Sequence, residues 1–200
     1  MKLFSLFLFM TVGFLTGSKH YFKEESSITS VEIERINSRI GEIKSMISLG
    51  NKYNTKIAFL VDMRVPSGKN RFFVYDLEND KIIDQGLVAH GSGSETGIKG
   101  MLKFSNTPNS NCTALGKYSI GKTYKGIFGK AYRLAGLEET NNKALERAIV
   151  LHHYSAVPSD EQDYYIANSH GCPMVSEQFF KRIEKIIDSS KSNIILDIYY

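Results

Sequence analysis

Cysteine, proline and clustered positive charge are all scarce in this chain of 200 residues, and each scarcity removes a class of explanation. Two cysteines allow at most one disulfide, and since neither lies in the first hundred residues a lipid-bearing N-terminal cysteine is excluded. Four prolines against sixteen glycines, twelve phenylalanines and eleven tyrosines lean towards sheet with tight turns. Lys and Arg exceed Asp and Glu by 25 to 21 without forming a run, so the net charge of +4 indicates no nucleic-acid partner. No apolar run reaches the roughly 20 residues that a membrane-spanning helix needs. A Gly-Lys-Ser/Thr phosphate loop, a His-x-x-x-His pair and paired-cysteine spacing are also missing, which sets nucleotide and metal chemistry aside.

What is present begins with "MKLFSLFLFMTVGFLTGSKH". Lys2 supplies a positive start, Leu3 to Leu15 an apolar stretch, and Thr16-Gly17-Ser18 a small-residue cleavage site. That pattern predicts a signal peptide over residues 1–18 and export of the remaining chain, with no stable membrane insertion after cleavage. In the segment 19–54, Ile33, Ile36, Ile40, Ile43 and Ile47 recur three and four apart, predicting an amphipathic helix followed by a linker. The 42% apolar and 23% charged composition is that of a chain able to bury a core.

Residues 55–200 read as one mostly β unit, a sandwich or barrel with a few attached helices. "IAFLVDM", "FFVYDL" and "IIDQGLVAH" are expected strands, with "ENDK" as a turn between the last two. "GSGSETG" is a turn, "GKYSIG" a short strand, and "NNKALERAIVLHH" a short helix running into a buried strand. Ser176 is placed to cap a helix whose buried face is Phe179, Phe180, Ile183 and Ile187. "NIILDIYY" closes the chain as a strand.

The chemistry concentrates in "NSHGCPMVSEQFF", residues 168–180. A bridge to Cys112 would explain Cys172, but a structural staple has no use for Ser169-His170-Gly171 before it and Pro173 after it. A nucleophile does. An adjacent imidazole and a nearby helix start lower a thiol's pKa. Gly171 permits a sharp turn that aims amides at a developing oxyanion. Pro173 has no N–H, so the available donors are the amides of His170, Gly171 and Cys172. A base is also required. His152 and His153 end an apolar strand and alternate between its faces, so at most one of them meets Cys172.

"SHGC" preceded by a strand-borne histidine resembles the signature of the bacterial L,D-transpeptidase catalytic domain family (YkuD-type). "RFFVYDL", "LVAHGSGSETG", "KFSNTPNS", "ALGKYSIG", "LAGLEETNN" and "RAIVLHH" are similar to its divergent murein branch, whose motif ends in Gly-Cys-Pro. The resemblance runs from about residue 57 to 200. It implies that Cys172 is the nucleophile and His152 the base, with Ser169, His170 and Gly171 shaping the oxyanion pocket. It further implies a peptidoglycan stem peptide as substrate, no cofactor, a site of action in the periplasm or cell envelope, and transpeptidation or L,D-carboxypeptidase hydrolysis. The Arg or Asn common after the cysteine is replaced by Met174 and Val175. His90, Arg133 and His153 are the candidates to contact substrate instead. Two rivals stand beside this reading: a binding domain that has lost turnover, and a papain-like endopeptidase. The order His152 before Cys172 disfavours the latter.

Overall fold

The computed structural model describes residues 28–50 and 52–200; the expected signal segment, residues 1–18, lies outside the described residues. No described helix is long and apolar enough to cross a membrane. The chain runs through helix α1 (Ser30–Ser48), then strands β1 (Tyr53–Asp62), β2 (Phe72–Asp76), β3 (Lys81–Gly86) and β4 (Val88–Ala89). A hairpin of β5 (Gly116–Gly126) and β6 (Gly129–Gly136) comes next, then β7 (Val150–His153), β8 (Met174–Val175), α2 (Glu177–Ser189) and β9 (Asn193–Tyr199). The protein is mostly β.

The described strands form one sheet in the order β3-β2-β1-β9-β5-β6-β7-β8-β4. Its two edges, β3 and β4, are separated in the chain by Leu87 alone. The sheet must therefore curl until its edges meet, as a barrel does. Arg71 closes the seam: its backbone N–H donates to Gly86 O, while Nε and Nη2 donate to Val88 O across the join. The expected single strand "IIDQGLVAH" is thus two strands on opposite edges. Its break falls where the Phe179 ring of α2 occupies the space a Cβ on Gly86 would need, 2.5 Å away.

Both faces of the central strands are apolar, and each face has its own helix. Phe59 and Val61 of β1, Phe72 and Val74 of β2, and Leu196 and Ile198 of β9 point inward with Phe179, Phe180 and Ile183 of α2. Ala58, Leu60, Phe73, Tyr75 and Ile195 face the other way, against Ile36, Ile40 and Ile43 of α1. Alternation along a strand produces this division. The isoleucine stripe is shorter than its sequence spacing suggests. Ile33, in the first turn, is exposed, and Ile47, in the last turn, is only half-buried. Polar contacts help to dock α1: Arg35 pairs with Asp62 and Arg39 with Asp197, and both carboxylates are fully buried. Thr29 caps the helix in a reciprocal pair with Glu32.

α2 begins as expected, with Ser176 Oγ accepting from Phe179 N. The helix expected over "NNKALER" is instead a run of turns. Buried Asn141 holds it there: Oδ1 accepts from Glu138 N and Nδ2 donates to Lys117 O of β5. Such side-chain bonds to the backbone compete with helix. Ala148 then takes a positive φ of 54° and turns the chain into β7.

Candidate functional site

The short strands β7 and β8 run parallel, with His152 beside Met174 and His153 beside Val175. Cys172 lies two residues ahead of Met174, level with Val150, and its Sγ accepts from Val150 N at 3.5 Å. Sγ also approaches Ala148 O at 3.9 Å, so the thiol proton rests on a backbone carbonyl. His152 follows Val150 by two residues on the same strand face. Cys172 and His152 line one cavity of about 440 Å³.

Alternation separates the two histidines as expected. The His152 ring stacks on Phe128 (centroids 5.4 Å apart, 14° between planes), whereas His153 packs against Phe180 of α2. His152 Nδ1 lies 3.0 Å from His153 O. A carbonyl only accepts, so Nδ1 carries the proton and Nε2 keeps its lone pair. The next residue's own backbone therefore orients the candidate base. Burial depresses the His152 pKa below the usual imidazole value. The ring is neutral and ready to accept a proton.

The thiol departs from expectation. Burial pushes Cys172 up, and the Val150 amide and the charge of Arg147 only partly oppose that. Histidine proximity in sequence does not lower it, because His170 is exposed. In this state the pair is thiol and imidazole, not thiolate and imidazolium.

Gly171 has φ 113°, a conformation that favours glycine, and a Cβ there would meet Cys112 O at 2.8 Å. Its amide donates to Ser169 Oγ at 3.0 Å, so Ser169 acts by holding the turn and the Gly171 N–H is engaged. Among the described residues the His170 and Cys172 amides have no acceptor within the protein. The Cys172 amide sits on the residue that carries the sulfur, and the His170 amide two residues before it. Cys112 is a free thiol, as is Cys172, and its Sγ donates to Gly93 O.

None of the three residues expected to contact substrate is in the lining of this cavity. Arg133 is exposed on β6, stacked over Tyr124. His90 is buried behind Ser169, accepting at Nδ1 from Arg71 and donating from Nε2 to Glu95. His153 sits on the opposite side of β7. The cation that does act on Cys172 is Arg147, which donates to Ser105 O and Cys112 O and packs beside Gly171. It precedes His152 by five residues in an irregular turn, and nothing in its sequence surroundings marks it. Phe128 was more legible: "GIFG" is two apolar residues between glycines, a two-residue hairpin turn whose tip hangs over His152.

Comparison with known proteins adds a family. A model of the L,D-transpeptidase catalytic domain matches residues 28–199. No curated protein matches the chain. Solved structures with a similar path include an L,D-transpeptidase (residues 123–326) from Xylanimonas cellulosilytica, 14% identical with a TM-score of 0.37, covering 73% of this chain and 61% of that one. An L,D-transpeptidase from Mycobacterium smegmatis is 12% identical with a TM-score of 0.41, covering 72% and 59%. The helical cell shape determining protein Pgp2 from Campylobacter jejuni is 12% identical with a TM-score of 0.44, covering 81% and 54%. The chain thus spans between 54% and 61% of the length of these structures.

Proposed function

The chain belongs to the L,D-transpeptidase catalytic domain family, and from that premise we propose that it is an exported cysteine acyltransferase acting on peptidoglycan stem peptides. The observation that carries this reading is the shared cavity. Cys172 and His152 line it together, and His152 Nε2 is left as the acceptor by the Nδ1 bond to His153 O.

In the proposed reaction, Sγ of Cys172 turns from Ala148 O and gives its proton to His152 Nε2. The thiolate adds to the carbonyl between the stem's third-position diamino acid and the following D-alanine. The oxyanion faces the amides of Cys172 and His170, which the Gly171 turn and Ser169 hold in place. Collapse breaks the C–N bond, and His152 returns the proton to the leaving D-alanine amine. A thioester remains on Cys172. An amine of a second stem, or water, then attacks it, losing a proton through His152 to the departing sulfur. The first outcome is transpeptidation and the second is hydrolysis. Arg147 favours the thiolate by charge, in place of a polar residue after the cysteine.

Intact-mass analysis of the chain with a defined tetrapeptide stem tests the reading. The expected result is an adduct on Cys172 with loss of D-alanine. Release of D-alanine without any Cys172 adduct, persisting in Cys172→Ala, would overturn it. A chain that binds the stem and releases nothing would be the non-catalytic binding domain.

A further inference from the structure

Among the described residues, no Asp, Glu, Lys or Arg lines the Cys172 cavity. Behind its wall lies a second cavity of about 410 Å³ with the opposite character. Four cations, Arg64, Lys69, Arg71 and Lys99, line it against two carboxylates, Glu95 and Asp163. Lys69 is paired with Asp163 at 2.9 Å. Glu95 Oε1 accepts from His90 Nε2 at 2.7 Å and from Asn168 Nδ2 at 3.4 Å. Those partners are neutral, so with Lys69 and Asp163 paired the cavity holds three cations, Arg71, Arg64 and Lys99, against the single carboxylate of Glu95.

Arg71 is the telling member. It is 1% exposed, and its partners are Val88 O, Val65 O and His90 Nδ1, all neutral. Burial drives its pKa down to about 9, and the charges of Asp62 and Glu95 only partly offset this. A buried guanidinium without a carboxylate in contact gives this cavity a field that favours an anion. Arg64 and Lys99 are exposed at its mouth.

Two adjoining chain segments, one at Ser169 and one at His90, separate the cavities. Ser169, lining the first, donates its backbone N–H to the carbonyl of His90, lining the second. Exposed Asn168 lines the first and donates to Glu95 in the second. Exposed Asn168 thus lies at the border between the reactive cavity and the charged one. A peptide stem carries carboxylates, and the reactive cavity offers them no counter-charge.

We propose that the cavity lined by Arg71, Arg64 and Lys99 is a subsite for a carboxylate of the stem peptide whose reacting part occupies the Cys172 cavity. The assignment rests on the acyl-transfer reading of the first cavity. The carboxylate belongs either to the stem being cleaved or to the stem that accepts the acyl group, and kinetics separates the two.

The test uses the full chain carrying Cys172→Ala and two fluorescent tetrapeptide stems, one with free carboxylates and one with every carboxylate converted to carboxamide. Adding Lys99→Glu should weaken the acidic stem by about tenfold, a change worth about 1.4 kcal/mol, and leave the amidated stem nearly unchanged. Arg64→Gln, also an exposed position, should act in the same direction. Raised salt should weaken only the acidic stem. Equal affinity of both stems, or an equal effect of Lys99→Glu on both, would overturn the subsite. With Cys172 intact, slower adduct formation in Lys99→Glu assigns the carboxylate to the cleaved stem. Slower resolution by an added stem assigns it to the acceptor. Neither change, with binding also unaltered, would sink the proposal. Charge-dependent binding without any Cys172 adduct would leave the subsite standing and remove the acyl-transfer reading.

Discussion

The two ends of the curled sheet are built by different means. From β3 through β6 the strands are 5 to 11 residues long, and the central ones are apolar on both faces. At β7, β8 and β4 they shrink to 4, 2 and 2 residues. There the chain is held by a glycine turn against Cys112 O, by Ser169 on Gly171 N, by Arg71 across the seam and by Arg147 on two carbonyls. The first end derives its stability from area removed from water, which many residues share. The second depends on single polar contacts, each with one geometry. Cys172 and His152 are on the second end, where the donors near the sulfur are not consumed by a ladder.

That contrast predicts changes that separate activity from stability. The largest effect falls on the short end: Cys172→Ala and His152→Ala should each lower acyl-adduct formation by about a thousandfold or more, since the proposed nucleophile and base would act as a unit. Intact-mass time courses check this, and the double variant should be little worse than either single one. Melting curves of Cys172→Ala should stay near those of the parent. His153→Ala should keep most of the adduct and lose stability instead, because its ring packs on Phe180. Adduct lost in His153→Ala but kept in His152→Ala would reverse the assignment of the base.

On the long end the pattern should invert. Ile43 is fully buried between α1 and the sheet, so Ile43→Ala should cost about 2–4 kcal/mol in denaturant unfolding while the folded fraction still forms adduct. Arg39→Met leaves the buried Asp197 carboxylate with Lys117 at 3.7 Å, and a loss of up to about 3 kcal/mol is expected. A loss of adduct matching the loss of stability in either variant would show that the two ends are not independent.

Three smaller effects concern protons. Burial raises the Cys172 pKa, so alkylation by a neutral reagent should climb as pH rises through and beyond the usual thiol range, with no thiolate plateau at neutral pH. Burial lowers the His152 pKa, so the neutral base persists to more acidic pH, and the acid limb of adduct formation should lie below that of an ordinary histidine, about 6.5. Arg147→Met removes a cation that opposes the rise in Cys172 and should move the alkylation profile further to alkaline pH. An unmoved profile would reduce Arg147 to a structural tie between the loop carbonyls.

The legibility of the chain follows the same division. The short apolar runs in "IAFLVDM" and "NIILDIYY", the three-and-four spacing of Ile36, Ile40 and Ile43, and the Ser176 cap are periodic or local signals, and each corresponds to the element observed. The opposite faces of His152 and His153 follow from strand periodicity alone. By contrast "IIDQGLVAH" reads as one strand because nothing local reports that Phe179, more than ninety positions away, fills the space beside Gly86. "NNKALER" has helix formers, but Asn141 bonds a strand 24 positions back in sequence. Arg133 and Arg147 look alike in the sequence, and only the folding of one turn against Gly171 brings the second to the sulfur.

By itself, then, the sequence determined a mostly β chain with two amphipathic helices, and the motif whose chemistry points to Cys172 and His152. These rest on periods of two and 3.6 residues and on the intrinsic properties of a few side chains, which need no partner to be read. The tertiary structure decided which groups surround that motif. It set the thiol high by burying it, chose His153 O to orient the His152 ring, and brought the charge of Arg147 rather than Arg133 to bear on the cysteine. It also put His90 behind the wall in a charged cavity of its own. Burial and long-range contact are properties of the folded packing, and no local pattern encodes them.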